Sequence, residues 1–277
     1  GHEVHLFEAA QEIGGQLNLA KQVPGKEEFH EMLRYWRRRL EVTGVYVHLG
    51  RRVQPEHLVH DGFREVVLAT GVLPRNPRIP GQEHPKVLSY LDVLTGAPVG
   101  DRVAIIGAGG IGFDVAEYLS QSGKSSALDL PAWLAEWGVT DPALARGGLK
   151  PEALPVHRSP RDITLLQRKP EKPGRNLGMT TGWALKAELA RRDLRMLSGC
   201  SYERIDDAGL HLRVNGEPHV LDVDTIVICA GQDSENTLAT ELRELGLAPE
   251  VIGGAELAAE LDALRAIDQG TRLGLAI

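Results

Sequence analysis

"RVAIIGAGGIGFDVAEYLSQSG", residues 102 to 123, decides the fold. A short apolar run ends at a cluster of glycines, and a helical pattern follows in which Ile111, Val115 and Leu119 share one face before Gly123 caps it. The glycines have separable jobs. Gly107 permits a tight turn, Gly109 lets the backbone approach a pyrophosphate, and Gly112 lets the helix pack close to the strand. The helix N-terminus adds free N–H groups and a positive dipole for phosphates. With a strand before it and a helix after it, this spacing reads as the βα start of a dinucleotide-binding unit.

Working toward the C-terminus, an acid that reads the ribose is expected about 20 residues on, at the end of the next strand. Residues 124 to 160 intervene instead, rich in Pro, Gly and small residues, with a short amphipathic helix in "PAWLAEWGV" that sets Trp133 and Trp137 four apart. The next strand is "DITLLQRK", residues 162 to 169, and it ends in Arg168 and Lys169. Two cations suit a 2′-phosphate, which favours NADPH over NADH; the plainer reading is an exposed basic strand end. A helix is expected over 182 to 192, strands over 195 to 203 and 209 to 214, and an apolar strand in "DTIVICAG", 224 to 231. That last stretch resembles "EVVLATG", 65 to 71: each apolar strand ends in a small residue and a glycine, Gly231 or Gly71, that lets the chain turn close beside a ligand.

Toward the N-terminus, "EVHLFE" (3 to 8) reads as a strand ending in an acid, "VYVHL" (45 to 49) and "EVVLA" (65 to 69) as two more. Residues 26 to 43 read as a helix whose Phe29, Leu33, Trp36 and Leu40 form an apolar stripe, with arginines on the solvated side. Pro74, Pro77, Pro80 and Gly81 mark a linker.

Composition narrows the partners. The 277 residues, 42% hydrophobic and 25% charged, suit a globular chain of about two domains. A net charge of −7 without a basic block argues against nucleic acid or an acidic membrane and favours small molecules. The sequence shows neither a long apolar span nor a signal pattern, so the expected location is cytoplasmic. Cys200 and Cys229 form no CxxC pair, which speaks against dithiol chemistry of the thioredoxin-reductase kind, and they cannot supply four thiolates to an iron-sulfur cluster. Electron transfer here needs a bound organic cofactor. No metal ligand set is expected, and His48, His57 and His60 read as surface residues.

Together, "GGQLNLAKQVPGKEEF", "PKVLSYLDVL", "GAGGIGFDVAEYLS", "LQRKPEKPG", "TTGW" and "LDALRAIDQGTRL" resemble, almost end to end, the C-terminal region of the bacterial NADPH-dependent 2,4-dienoyl-CoA reductases. The resemblance implies an α/β chain of two nested Rossmann-like dinucleotide-binding domains, an FAD domain (1 to 98 and 226 to 277) interrupted by an NADPH domain (99 to 225) with residues 124 to 160 inserted. It implies that the first FAD-domain strand and its glycine turn lie ahead of Gly1, along with an FMN-binding barrel domain and the iron-sulfur cysteines, so that this chain is a fragment of a longer parent. Glu8 would hold the ribose of the FAD adenosine. Gly14, Gly15 and Gln16 would pass close to the flavin, and Ala69, Thr70 and Gly71 would cross the FAD phosphate region. "VIGGAE" stands where many relatives have a Gly-Asp pair, which would leave phosphate contact at Gly253 and Gly254 to backbone N–H groups. A helix over 255 to 269 would then point its dipole at the flavin, unless its Leu257, Leu261 and Leu264 are simply core.

The implied activity is NADPH-to-FAD hydride transfer within an enzyme that reduces unsaturated fatty acyl-CoA in β-oxidation, a step that requires no catalytic side chain from this region. The alternative is a non-catalytic nucleotide-binding or structural fragment of a related flavoprotein.

Overall fold

The computed structural model describes residues 1–150, 157–259 and 262–277. The chain opens with β1 (His5–Phe7), α1 (Leu17–Ala20), α2 (Phe29–Val42), β2 (Tyr46–His48), α3 (Pro55–His60), β3 (Val67–Leu68) and β4 (Val72–Pro74). Its middle holds β5 (Val87–Ser89), α4 (Tyr90–Leu94), β6 (Arg102–Ile106), α5 (Gly110–Ser120), α6 (Leu130–Glu136), β7 (Asp162–Leu166), α7 (Gly182–Arg191), β8 (Arg195–Leu197), β9 (Cys200–Asp206), β10 (Gly209–Val214), β11 (Glu217–Leu221) and β12 (Thr225–Ile228). β13 (Gln232–Ser234), α8 (Thr237–Glu244), β14 (Glu250–Val251) and α9 (Ala263–Ala276) close it.

These elements form two compact units: a central one of residues 16–31 and 76–230, and a flanking one of residues 1–15, 32–75 and 231–277. The central unit is therefore wider than residues 99 to 225. It takes in β5 and β12 because both are strands of its main sheet.

That sheet is parallel, in the order β5-β12-β6-β7-β8. Strand alternation explains its two cores. Val103 and Ile105 of β6 point to one face, where they pack with Phe113, Val115 and Leu119 of α5 and Leu189 of α7. Ala104 and Ile106 point to the other, where they meet Leu210 and Leu212 of the antiparallel β11-β10-β9 ribbon. Both faces are covered, so Val103–Ile106 of β6 and Ile163–Leu166 of β7 are buried on both sides, with Thr164 the one polar residue among them. α4 starts on a reciprocal cap, with Ser89 Oγ accepting from the Asp92 N–H and Asp92 accepting from the Ser89 N–H.

Two expectations for this unit change. The strand expected over 195 to 203 is two strands in different sheets, split at Gly199 with φ +67°. α5 ends at Ser120, short of Gly123.

The flanking unit is built from pairs. β1 runs parallel to β2, β3 parallel to β14, and β4 antiparallel to β13. Among the described residues no strand joins the first pair to the second. Its core gathers Leu58, Leu68, Ala239 and Leu242, with Phe7 and Phe63 alongside. On α2 only Leu33 of the expected stripe is buried, and Trp36 is 41% exposed. His57 and His60 are exposed as expected, whereas His48 is half-buried, stacked on Phe7 and bonded to His5 at 3.1 Å.

The helix expected over 255 to 269 is displaced. Gly253–Ala255 make one turn of 3-10 helix, and α9 begins only at Ala263, where the Asp262 carboxylate accepts from the Arg265 N–H at 2.8 Å. A side-chain carboxylate thus takes the N-terminus that was expected to serve the flavin. Leu257 and Leu264 are exposed rather than core, and Leu261 lies outside the described residues. No helix among the described residues is long and apolar enough to cross a membrane.

Candidate nucleotide-binding site

The central unit's site is the turn between β6 and α5. Gly107 has φ +116°, and a Cβ there would come within 2.2 Å of the Cys229 carbonyl oxygen. A Cβ on Gly112 would lie 1.8 Å from the Gly107 carbonyl oxygen, so the first turn of α5 seats directly on the glycine turn. Gly109 and Gly110 differ: a Cβ on either would meet nothing within 4 Å. Bare backbone therefore opens onto free space at the N-terminus of an eleven-residue helix, flanked by two glycines that no other residue replaces without a clash. A pyrophosphate fits there, with N–H groups and the helix dipole facing it.

Arg168 and Lys169 follow β7 and are exposed, and neither forms an ion pair among the described residues. Their turn is shaped from within. The Gln167 amide donates to the carbonyls of Lys169 (3.2 Å) and Glu171 (2.7 Å), and the Lys169 carbonyl accepts from the Gly199 N–H. Lys172 and Arg175 extend the same exposed loop, giving four cations in eight residues. All four lie within "RKPEKPGR", residues 168 to 175, of which the strand-end argument uses only Arg168 and Lys169. The loop is tied down at Gly174, whose carbonyl accepts from Lys186 of α7 at 3.3 Å.

One pair had no sequence signal, because its members are 88 residues apart. Lys26 donates to both oxygens of Asp114 on α5, at 2.6 and 2.7 Å. Burial raises the Asp114 pKa, and Lys26 offsets this in part. The bond ties residues 16–31 to the glycine-turn helix, within the central unit. Gln16, at the start of α1 in that segment, is exposed.

In the flanking unit, Glu8 follows β1, and its carboxylate accepts from the Ala10 N–H at 2.8 Å, which fixes an acid at the end of the strand. Gly14 and Gly15 both have positive φ, and a Cβ on Gly15 would meet nothing. Ala69 and Thr70 are exposed after β3, the Thr70 hydroxyl donates to the Glu235 carbonyl, and Gly71 (φ +79°) again faces open space. This part has the half-buried acid at a strand end and the bare backbone that an adenosine diphosphate needs.

The remaining glycines are arranged differently: a Cβ on Gly253 would meet nothing within 4 Å, yet the residue is buried. Gly231 abuts Arg75, whose guanidinium would stand 3.2 Å from an added Cβ and binds Asp233 at 2.8 Å. Gly253 and Gly254 are buried, and the Gly253 N–H already donates to Gln269 Oε1 at 2.7 Å. The expected phosphate contact through the Gly253 N–H is thus satisfied inside the protein.

Comparison with known proteins agrees with this geometry. The pattern of the pyridine nucleotide-disulphide oxidoreductase family matches residues 1–261. A metal reductase of Desulforamulus reducens is 29% identical over 248 residues, 88% of this chain and 36% of that protein. A cinnamate reductase of Clostridium sporogenes is 27% identical over 250 residues, 88% of this chain and 31% of that one. Among solved structures, a 2-naphthoyl-CoA reductase complexed with 2-naphthoyl-CoA superposes with TM-score 0.78 at 22% identity, covering all of this chain and 36% of its own. The chain spans about a third of the length of these relatives. It belongs to the pyridine nucleotide-disulphide oxidoreductase family, as an FAD- and NAD(P)H-binding oxidoreductase region with Rossmann-like sheets.

Proposed function

We infer that this chain is the NADPH-to-FAD hydride-transfer module of a longer reductase of the 2,4-dienoyl-CoA reductase type, which reduces unsaturated fatty acyl-CoA in β-oxidation. The reading places the FAD domain at residues 1–98 and 226–277 and the NADPH domain at 99–225. The observation that carries it is the open backbone at Gly109 and Gly110, held between closed glycines and followed by the basic loop at Arg168 and Lys169.

When bound, NADPH and FAD would supply the hydride chemistry, and an iron-sulfur cluster and FMN in a longer parent would take the electrons on. The chain's own residues bind and orient. The α5 N-terminus holds the pyrophosphate, and Arg168 with Lys169 holds the 2′-phosphate by charge and fork geometry. Glu8 accepts the adenosine ribose hydroxyls of FAD. Gly14, Gly15, Gln16, Ala69, Thr70 and Gly71 keep the backbone low enough for the flavin and its phosphates to lie close.

The test is flavin loading followed by anaerobic reduction. NADPH should bleach bound FAD faster than NADH, and Arg168→Ala should remove most of that preference, raising the NADPH Kd by about tenfold or more while leaving NADH nearly unchanged. Equal losses for both nucleotides would sink the 2′-phosphate assignment. Failure of the parent to oxidise NADPH with a dienoyl-CoA would sink the substrate assignment.

A further inference from the structure

The insertion between α5 and β7 poses a packing question. Among the described residues none of 124–150 belongs to a hydrophobic core, and no α6 side chain is fully buried. Apolar burial there is slight, chiefly at half-buried Leu134, Trp137 and Val139.

What it meets is a buried charge cluster. The Arg192 side chain, only 7% exposed, lies 3.6 Å from Glu117 of α5 and 3.5 Å from Glu136 of α6, and it forms a short ion pair with Glu188 of α7. It also donates to Ser120 Oγ at 3.2 Å. Arg191 donates to the Glu136 carbonyl at 3.0 Å and lies over the Trp137 ring, and His157 lines the same small cavity. Just past α5, Gln121 donates to Glu117, and nearby Arg161 donates to the Leu119 carbonyl.

Three carboxylates thus converge on the Arg192 guanidinium. Among the described residues Glu117 Oε2 is buried without a donor to pair with, an arrangement that costs far more for an ionised carboxylate than for a neutral acid.

We propose that the Arg192 cluster is a proton-operated latch: it holds α6 and the residues around it against α5 and α7 while the cluster keeps one carboxyl protonated, and it releases them when that proton leaves. Glu117 is the proton's seat. Burial, then the charge of Glu188, pushes its pKa up to about 8 against the pull of Arg192 and Gln121.

The sign follows from which form binds the proton. The closed latch keeps it up to pH about 8, whereas an opened, hydrated Glu117 loses it near the ordinary carboxylate value. Raising pH through that window therefore favours opening, by up to about tenfold per pH unit, and the effect levels off once both forms are ionised. On opening, Glu136 leaves with α6, and Glu117 and Glu188 remain with Arg192.

Amide exchange of the full chain, corrected for the intrinsic pH dependence of exchange and followed from pH 5.5 to 8.5, reads the latch directly. Peptides from 126–149 should open at least about tenfold more at the higher pH, while β6 stays unchanged. Glu117→Gln, which keeps the shape and removes the titration, should make the insertion's protection flat with pH. Should that variant fail to fold, Glu136→Gln on the rim of the cluster should give a shallower pH slope than the wild type. A flat wild-type profile, or a wild-type slope retained in every variant that folds, would overturn the proposal.

Discussion

The central and flanking units use the same kinds of element and solve burial differently. In the central unit β6 lies between β12 and β7, with helices on one face and the β9–β11 ribbon on the other. In the flanking unit each strand has a single partner, and Val4, Tyr46, Val47, Leu49 and Val67 remain exposed on or beside those strands. Of the bulkiest fully buried side chains, only Leu242 belongs to the flanking unit; the others, Tyr90 and Phe113 among them, belong to the central one. Stability grows with the apolar area withdrawn from water, and two-stranded pairs withdraw little.

The largest effect this contrast implies is a difference in local opening. Backbone amides of β1 and β3 should exchange at least about 100-fold faster than those of β6 and β7, and the flanking unit should melt first in urea. Equal protection across both units, or a single coincident transition by probes in each, would break the comparison.

A pair of substitutions sharpens it. Leu242→Ala should destabilise the flanking unit by about 2–5 kcal/mol and leave the central transition in place. Gly112→Ala should do the reverse, lowering only the central transition by about 1–3 kcal/mol, because its Cβ would collide with the Gly107 carbonyl. Urea curves followed by unit-specific probes separate the two outcomes, and crossed effects would mean that the units do not melt independently.

The smallest effect lies at the start of β6. Arg102 binds Asp222 and Asp224, and its hydrogen bonds hold the Asp224 pKa down at about 2. A depressed carboxylate stabilises the fold above its ordinary pKa, and that contribution fades as pH falls toward about 2. Asp224→Asn should therefore weaken the central unit slightly at pH 7 and flatten its loss between pH 4 and 2. The pair is solvent-exposed, so the shift in urea midpoint should be small. An unchanged acid slope would show that the clamp contributes nothing measurable.

The sequence made the central site legible where one local signal sufficed. The glycine turn, β6 and α5 declare themselves within one short window whose spacing has a clear physical reading, and the cations after β7 stand in another, where the sequence leaves two readings open. What escaped notice depends on long-range geometry. Lys26 and Asp114 meet across 88 residues, and the Arg192 cluster draws on three helices, so neither leaves a local trace. The break at Gly199 leaves little local trace because strand-compatible residues stand on both sides of it, Met196 and Leu197 before and Cys200, Tyr202 and Ile205 after. α9 was placed too early because leucine spacing in 257 to 264 imitates a helical face, while the cap at Asp262 sets the true start. Trp36 shows the opposite failure: its spacing was helical as read, yet a stripe on a helix guarantees no surface to cover it.

The strand order of the main sheet also bears on how the protein is made. β12, ending at Ile228, sits between β5 and β6, which end at Ser89 and Ile106. A ribosome releases β6, β7 and β8 in sequence, and these can pair as they appear. The slot between β5 and β6 stays open until about 120 more residues have been added, on the order of ten seconds of synthesis. During that interval two apolar strand edges face each other with nothing between them, and any extended apolar segment in the cell competes with β12 for the place.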